Sequence, residues 1–122
     1  MNNFRILFVD DNDDIRFMIK TWLARFNYEV ATAESIAEGL RVAHAEPIDL
    51  YIFDTRLPDG SGAELCMKIR EFDRTTPVIF YSGETPSQIR SEPKCGAQEY
   101  VMKPEFDELE KAILRARQSV RA

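Results

Sequence analysis

Five short apolar runs alternate along this chain with longer stretches in which apolar residues recur every three or four positions. The apolar runs lie at residues 4–9, 28–33, 50–53, 78–81 and 100–102, and their β-branched and aromatic content predicts strands. The spacing in the intervening stretches predicts helices. Strands that alternate with helices predict a parallel sheet covered on both faces, because each crossover connection is right-handed. We therefore expect a doubly wound α/β fold, (βα)5, of five strands and five helices.

The predicted helices carry recognisable start signals. Residues 35–38 and 61–64 match capping boxes, in which a serine and a glutamate satisfy free amides of the first turn. The third helix is expected to run from Gly62 to about Phe72. The last helix, near 106–120, has an acidic first turn and a basic last turn, as the helix dipole favours. The clearest apolar stripe belongs to the first helix and consists of Ile15, Met18, Ile19, Trp22, Leu23 and Phe26.

A proline limits the fourth predicted helix. Thr85, Pro86 and Gln88 match the N-terminus of a helix, but Pro93 would remove a hydrogen bond and clash with the preceding turn. We expect this helix to be short.

Length and composition narrow the class of protein. The 122 residues fit a single domain, with no apolar run near the length of a membrane span and no signal peptide pattern. The net charge of −5 argues against a general nucleic-acid binder, and His44 alone offers no basis for a histidine metal site or a Ser-His-Asp triad. Cys66 and Cys95 lack metal-like spacing and fall in predicted helices, so we expect reduced thiols in a cytoplasmic protein.

Polar side chains follow four of the five predicted strands. Asp10 and Asp11 follow the first, Asp54 the third, Ser82 the fourth and Lys103 the fifth. In a flavodoxin-like sheet of order 2-1-3-4-5 these four strand ends are neighbours, and ligands bind there. Three carboxylates in one pocket need a cation, and oxygen ligands suit Mg²⁺. The Lys103 ammonium and the Ser82 hydroxyl would then suit a phosphoryl group on a carboxylate. Taken singly, Asp54 could merely accept bonds from loop amides, and Lys103 could be a solvated strand-end lysine.

In combination, these residues resemble the receiver domain of two-component response regulators. The resemblance covers essentially the whole chain and implies one receiver domain over residues 1–122, with no output domain in this chain. It rests on motifs that occur in order at the ends of the predicted strands: Asp10-Asp11, Asp54, Leu57-Pro58-Asp59-Gly60, Ser82-Gly83, Tyr100 and Lys103-Pro104.

The resemblance implies a phosphoacceptor site. Asp54 would accept a phosphoryl group from a phosphohistidine on a sensor histidine kinase or a histidine phosphotransfer protein. Asp11, Asp54 and the backbone carbonyl of Arg56 would hold Mg²⁺, and Asp10 would contribute through a water molecule. Lys103 would bind the acyl phosphate. Such a protein catalyses its own phosphorylation and dephosphorylation without being a metabolic enzyme.

The resemblance also implies a switch. Ser82 would move to cap the phosphoryl group, and Tyr100 would swing into the space that it vacates, although Tyr100 could also serve in edge packing. Ser82 stands where the family more often has threonine and keeps the hydroxyl. The Lys103-Pro104 bond matches the family's cis peptide, which an X-Pro bond allows at low cost.

Arg56 lies two residues after Asp54, and Glu84 lies two residues after Ser82. The two side chains carry opposite charges. We expect them to flank the path of the water that hydrolyses the acyl phosphate and so to tune its lifetime. Phe17 falls off the buried stripe, and an isolated exposed aromatic residue usually has no role. In the family that the chain resembles, the first helix helps to dock the phosphodonor, so the resemblance implies Phe17 as a contact.

The partners implied are the phosphodonor and a downstream protein of unknown identity, with neither direct nucleic-acid binding nor membrane insertion. Pro93 puts the family's common dimer face in doubt, so we expect a monomer or a weak phosphorylation-dependent dimer.

Two other functions compete with this interpretation. A phosphatase of the haloacid dehalogenase type also phosphorylates an aspartate with Mg²⁺, but it carries an Asp-x-Asp motif after the first strand, which residues 10–13 match poorly. It also needs a cap domain or long insertions to exclude water and bind substrate, for which the chain has no room. A receiver-like interaction module that never accepts phosphate usually lacks the acids or the lysine, and all are present here.

Overall fold

The computed structural model describes residues 4–84 and 95–121. The strands are β1 (Arg5–Val9), β2 (Glu29–Ala33), β3 (Leu50–Phe53), β4 (Arg56–Leu57), β5 (Gly60–Ser61), β6 (Val78–Ser82) and β7 (Glu99–Met102). The helices are α1 (Asp13–Ala24), α2 (Ile36–Ala45), α3 (Gly62–Ile69) and α4 (Phe106–Arg121). The predicted short helix between Thr85 and Pro93 lies outside the described residues.

Five strands form one parallel sheet in the order β2-β1-β3-β6-β7. Because β6 and β7 are the fourth and fifth strands of this sheet, the order is the 2-1-3-4-5 order expected from the sequence. The two-residue strands β4 and β5 pair with each other in an antiparallel hairpin that the sequence did not predict. The fold is therefore the flavodoxin-like doubly wound α/β fold.

Alternate residues of the buried strands face opposite sides of the sheet, and each side has its own core. Leu7 and Val9 of β1 pack into a core that includes residues of α2 and α3. Ile6 and Phe8 pack into the other core, which includes residues of α1 and α4. Burial on both faces explains why the central strands read as unbroken apolar runs.

The observed starts of the helices match the predicted capping signals, whereas the observed end of α3 does not match the predicted end. The Asn12, Ser35 and Ser61 side chains cap α1, α2 and α3 by accepting bonds from backbone amides. Helix α3 ends at Ile69 with Arg70 as its C-cap, short of the predicted end near Phe72. The Phe72 ring instead stacks on His44, with the ring centroids 4.0 Å apart.

The apolar stripe of α1 is narrower than predicted. Ile19 and Leu23 are buried, whereas Met18 and Phe26 are each 45% exposed. Phe26 lies beyond the last residue of the helix, in a turn that Asn27 completes with φ of 65°. The helical spacing therefore does not extend to Phe26, and its ring packs edge-on against Trp22 rather than into the core.

The expectation of reduced thiols is wrong. Cys66 and Cys95 form a disulfide, with their Cα atoms 5.8 Å apart. Cys66 lies in α3, but Cys95 lies in an irregular segment before β7 and not in a helix. The two cysteines are 29 positions apart in the sequence, so no local pattern indicated their pairing.

Membrane insertion was not expected from the sequence. Across residues 4–84 and 95–121, none of the helices combines the length and the apolar character that a membrane span requires.

Candidate functional site

The carboxyl ends of the four strands β1, β3, β6 and β7 lie side by side. Val9 pairs with Phe53, Phe53 with Phe80, and Ser82 with Met102, so the residues that follow these strands meet at one edge of the sheet. The sheet thereby brings together the strand-end residues that the sequence singled out.

Lys103 bridges two of the carboxylates. Its Nζ atom donates to Asp10 Oδ2 at 2.6 Å and to Asp54 Oδ2 at 3.1 Å. The peptide bond between Lys103 and Pro104 is cis, as the resemblance implied. Lys103 is thus an ion-pair partner inside the site, and the alternative of a solvated strand-end lysine is wrong.

Burial and the neighbouring charges have opposite effects on the pKa values of Asp10 and Lys103. Asp10 is fully buried, and burial raises the pKa of its carboxyl group despite the hydrogen bonds from Lys103 and from the Asn12 amide. Burial acts to lower the pKa of Lys103, but its hydrogen bond to Asp10 and the charge of Asp54 outweigh burial and raise it. The Lys103 ammonium is therefore held in its charged form between two acids.

Three carboxylates form an acidic cluster at this edge. Asp10, Asp11 and Asp54 each offer an oxygen atom, and these atoms all lie within 4.8 Å of one another. A set of hard oxygen donors fits Mg²⁺, which is held in proteins by one or two carboxylates and keeps several waters. The residues present therefore fit the expected metal. The role of the Arg56 carbonyl as a further ligand remains a prediction.

The backbone around Asp54 is fixed by the turn that follows it. The Thr55 amide donates to Asp54 Oδ1 at 2.7 Å, and the Gly62 amide donates to the Thr55 carbonyl at 2.9 Å. A Cβ atom at Gly62 would collide with the Asp54 carbonyl oxygen. Glycine at this position therefore lets α3 begin directly against the strand end that carries the acceptor.

Ser82 lies at the end of β6 and is only 3% exposed. Its Oγ atom lies 2.6 Å from Thr55 Oγ1 and accepts a bond from the Glu84 amide at 3.1 Å. Thr55, also 3% exposed, donates in turn to the Glu84 carboxylate. The sequence interpretation missed Thr55, and the available signal was a hydroxyl-bearing residue directly after the acceptor, where the chain leaves a buried strand.

Tyr100 is half exposed and stacks on Phe80, with the ring centroids 5.2 Å apart. Its ring thus covers the residue that pairs with it across β6 and β7. The inward swing of Tyr100 that the resemblance implies remains a prediction.

Arg56 and Glu84 pair at the mouth of the site. Arg56 Nε lies 3.3 Å from Glu84 Oε1, with the arginine side chain 79% exposed. The lifetime role of this pair remains a prediction. Phe17 on α1, expected off the buried stripe, is 74% exposed.

Comparison with known proteins identifies the family. The sequence model of the response regulator receiver domain family matches residues 6–114 of this chain. The nisin biosynthesis regulatory protein NisR of Lactococcus lactis is 35% identical over 102 residues, which are 83% of this chain and 44% of that protein. The response regulator protein PilR of Pseudomonas aeruginosa is 34% identical over 85% of this chain and 24% of its own length. The chain therefore spans less than half the length of these two relatives.

Solved structures agree with the match. The response regulator TrrA of Thermotoga maritima, solved in complex with Mg²⁺-BeF, is 35% identical with a TM-score of 0.83, over 92% of this chain and 97% of that one. The chemotaxis response regulator CheY4 of Vibrio cholerae is 31% identical with a TM-score of 0.85, over 94% of this chain and 99% of that one. The family match, the sheet order and the strand-end residues agree, and the chain belongs to the receiver domain family of response regulators.

Proposed function

We propose that Asp54 is the residue that accepts a phosphoryl group and that this transfer switches the surface of the domain for a partner. The observation that carries the proposal is the position of Asp54 between a lysine ammonium 3.1 Å away and two further carboxylates. The acidic neighbours repel an incoming phosphate unless positive charge is present, and the ammonium supplies part of it. A structural aspartate that only accepted loop amides would not need such an arrangement.

The transfer is a displacement at phosphorus. A carboxylate oxygen of Asp54 forms the new P–O bond while the P–N bond to the donor imidazole breaks, and the imidazole leaves with the electron pair. Lys103 binds a phosphoryl oxygen as charge develops, at a position that its bond to Asp10 fixes. The Ser82 hydroxyl donates to a second phosphoryl oxygen after leaving its resting position.

Asp10, Asp11 and Asp54, with the carbonyl of Arg56, would hold Mg²⁺. When bound, the ion neutralises the carboxylates and the transferred oxygens. Asp10 is fully buried and already bonded to Lys103, which favours the proposed contribution through a water molecule rather than by direct contact.

The proposed phosphodonor is a phosphohistidine on a sensor histidine kinase or a phosphotransfer protein, with the exposed Phe17 ring on α1 as a contact. The domain acts in the cytoplasm on a downstream protein, as a monomer or a weak phosphorylation-dependent dimer. Direct nucleic-acid contacts are not proposed for these residues. We also propose that residues 1–122 constitute one receiver unit.

The test is chemical phosphorylation. Incubation with Mg²⁺ and a small acyl phosphate or amidophosphate should add one phosphoryl group, measured by intact mass, and chelation of the metal should prevent it. Asp54→Asn should abolish the labelling, and Asp14→Asn, which changes an exposed acid of α1, should not.

Stable labelling of Asp54→Asn at another acid would contradict the assignment of the acceptor. Complete absence of labelling in the wild-type protein would favour the alternative of a phosphorylation-independent interaction module.

A further inference from the structure

Three residues at the edge of the site form a closed ring of hydrogen bonds. Ser82 Oγ and Thr55 Oγ1 are 2.6 Å apart, Thr55 Oγ1 bonds to Glu84 Oε1, and the Glu84 amide bonds back to Ser82 Oγ at 3.1 Å. The ring is buried at two of its members, Thr55 and Ser82. It also touches the acceptor, because the Thr55 amide donates to Asp54 Oδ1.

The direction of each hydrogen bond in the ring follows from the number of protons that each group can donate. An ionised Glu84 carboxylate can only accept, so the single hydroxyl proton of Thr55 goes to Glu84. Thr55 then has no proton left for Ser82, and the short contact between the two hydroxyls requires Ser82 to be the donor. The Glu84 amide meanwhile occupies a lone pair of Ser82. In this state the only proton of Ser82 is committed to Thr55.

We propose that Thr55 is a positioning residue that holds the Ser82 hydroxyl in the resting state and competes with a phosphoryl group on Asp54 for its proton. The inference rests on the proposed function, because it concerns how Ser82 becomes available to the phosphorylated acceptor. Ser82 has one proton and cannot donate to Thr55 and to a phosphoryl oxygen at the same time. Each capping event therefore breaks the ring, and the strength of the ring opposes the switch.

The consequence is a measurable bias against the active state. Replacing Thr55 with valine keeps the volume and branching of the side chain but removes the acceptor for Ser82. We expect Thr55→Val to bind beryllium trifluoride, a tetrahedral mimic of the phosphoryl group, roughly twofold to tenfold more tightly than wild type in the presence of Mg²⁺. That range corresponds to about 0.4–1.4 kcal/mol. The phosphorylated Thr55→Val protein should also lose its phosphoryl group more slowly.

The experiment is a double-mutant cycle read by titration calorimetry with beryllium trifluoride on the full chain. Affinity is measured for wild type, Thr55→Val, Ser82→Ala and the double variant, at fixed Mg²⁺ concentration. Thr55→Val should tighten binding only where Ser82 is present, and Thr55→Ser, which restores the hydroxyl, should return the affinity to the wild-type value. Thr55→Ala serves in place of valine if Thr55→Val does not fold.

A purely structural role for Thr55 would change affinity equally in both backgrounds, and that outcome overturns the inference. If the wild-type protein binds beryllium trifluoride and Thr55→Val, or Thr55→Ala, binds it with the same affinity, the inference is also overturned. The proposed function then remains intact. Failure of the wild-type protein to bind beryllium trifluoride with Mg²⁺ would overturn the proposed function and the inference together.

Discussion

Arg56 and Glu84 form an ion pair in which the arginine side chain is 79% exposed and the glutamate side chain only 15% exposed. An ion pair with one member in solvent is screened by water and contributes only about 0–1 kcal/mol to stability, whereas about 1.4 kcal/mol in a barrier changes a rate tenfold. If the pair obstructs the approach of water to an acyl phosphate on Asp54, Arg56→Asn should raise the dephosphorylation rate severalfold with little change in melting temperature. The measurement is the decay of phosphorylated protein after the donor is removed.

Glu84→Ala and the double variant complete the test of this pair. If the two side chains act as one unit, the double variant should decay about as fast as the faster single variant, whereas independent side chains would give the combined effect of both. Equal decay rates in wild type and in all three variants would show that neither side chain reaches the water path.

Two buried tyrosines link stability to alkaline pH. Burial, followed by the charge of Asp73, raises the pKa of Tyr51 well above its ordinary value of 10.0. Burial, followed by the charge of Asp10, raises the pKa of Tyr81 to about 12. Since the unfolded state loses these protons first, the stability that is present below pH 10 should fall as pH rises through the raised values. Each tyrosine contributes a slope of about 1.4 kcal/mol per pH unit.

Urea denaturation at pH values from 9 upward, roughly one pH unit apart, measures this slope. Tyr51→Phe should remove the contribution of one group, and its stability should become less sensitive to pH above 10, the ordinary tyrosine pKa. A pH dependence identical to that of wild type would mean that Tyr51 ionises in the folded state as readily as in the unfolded state.

At the scale of the helices and loops, the Asp59 side chain connects the turn between β4 and β5 to the start of α2. Its carboxylate accepts bonds from the Ile36 amide at 2.8 Å and the Ala37 amide at 3.1 Å, two amides that lack partners within the helix. The Ile36 bond is the main cause that lowers the pKa of Asp59 below its ordinary value of 3.8. We expect Asp59→Ala to cost about 1 kcal/mol of unfolding free energy at neutral pH, as the loss of an N-cap does.

The pH dependence separates this contact from simple loop packing. Because the folded pKa is depressed, the contribution is present above pH 3.8 and should disappear as pH falls through the folded value. Chemical denaturation of wild type and Asp59→Ala at neutral and acidic pH provides the comparison, with Asp59→Asn as the matched control that keeps one acceptor oxygen without the charge. A difference between wild type and Asp59→Ala that stays constant down to low pH would refute the electrostatic explanation.

For the molecule as a whole, we expect metal binding at the acidic cluster to be coupled to folding. Bringing Asp10, Asp11 and Asp54 within 4.8 Å of one another costs repulsion that Lys103 relieves only in part. A ligand that binds the native state alone stabilises it by about 2.7 kcal/mol at a hundredfold excess over its dissociation constant. We therefore expect Mg²⁺ to raise the melting temperature of the unphosphorylated protein, as measured by circular dichroism.

Asp11→Ala should remove most of this shift, because it takes away an exposed carboxylate of the cluster without disturbing the Asp10–Lys103 pair. Asp14→Asn should keep the full shift. A wild-type melting temperature that ignores millimolar Mg²⁺ would show that the cluster does not hold the ion.

The parallel pairing of the strands and the polar edge of the sheet could be predicted from the amino-acid sequence, whereas the strand order followed from the resemblance to the receiver family. Unbroken apolar runs predict strands buried on both faces, and the alternation with helices forces parallel pairing with right-handed crossovers. Once the strands are parallel, the residues after them must meet at one edge, which is why the sequence pattern correctly placed Asp10, Asp54 and Lys103 together. Local capping chemistry likewise fixed the start of α3 at Ser61.

The contacts between side chains far apart in the sequence depend instead on tertiary packing. Thr55 and Ser82 are 27 positions apart, and their hydroxyl contact depends on the turn after β3 rather than on any local pattern. The Cys66–Cys95 bond and the exposure of Phe26 have the same origin. Periodicity shows which face of an element is apolar, but the packing of neighbouring elements decides which part of that face is covered and what each polar side chain finds within hydrogen-bonding distance.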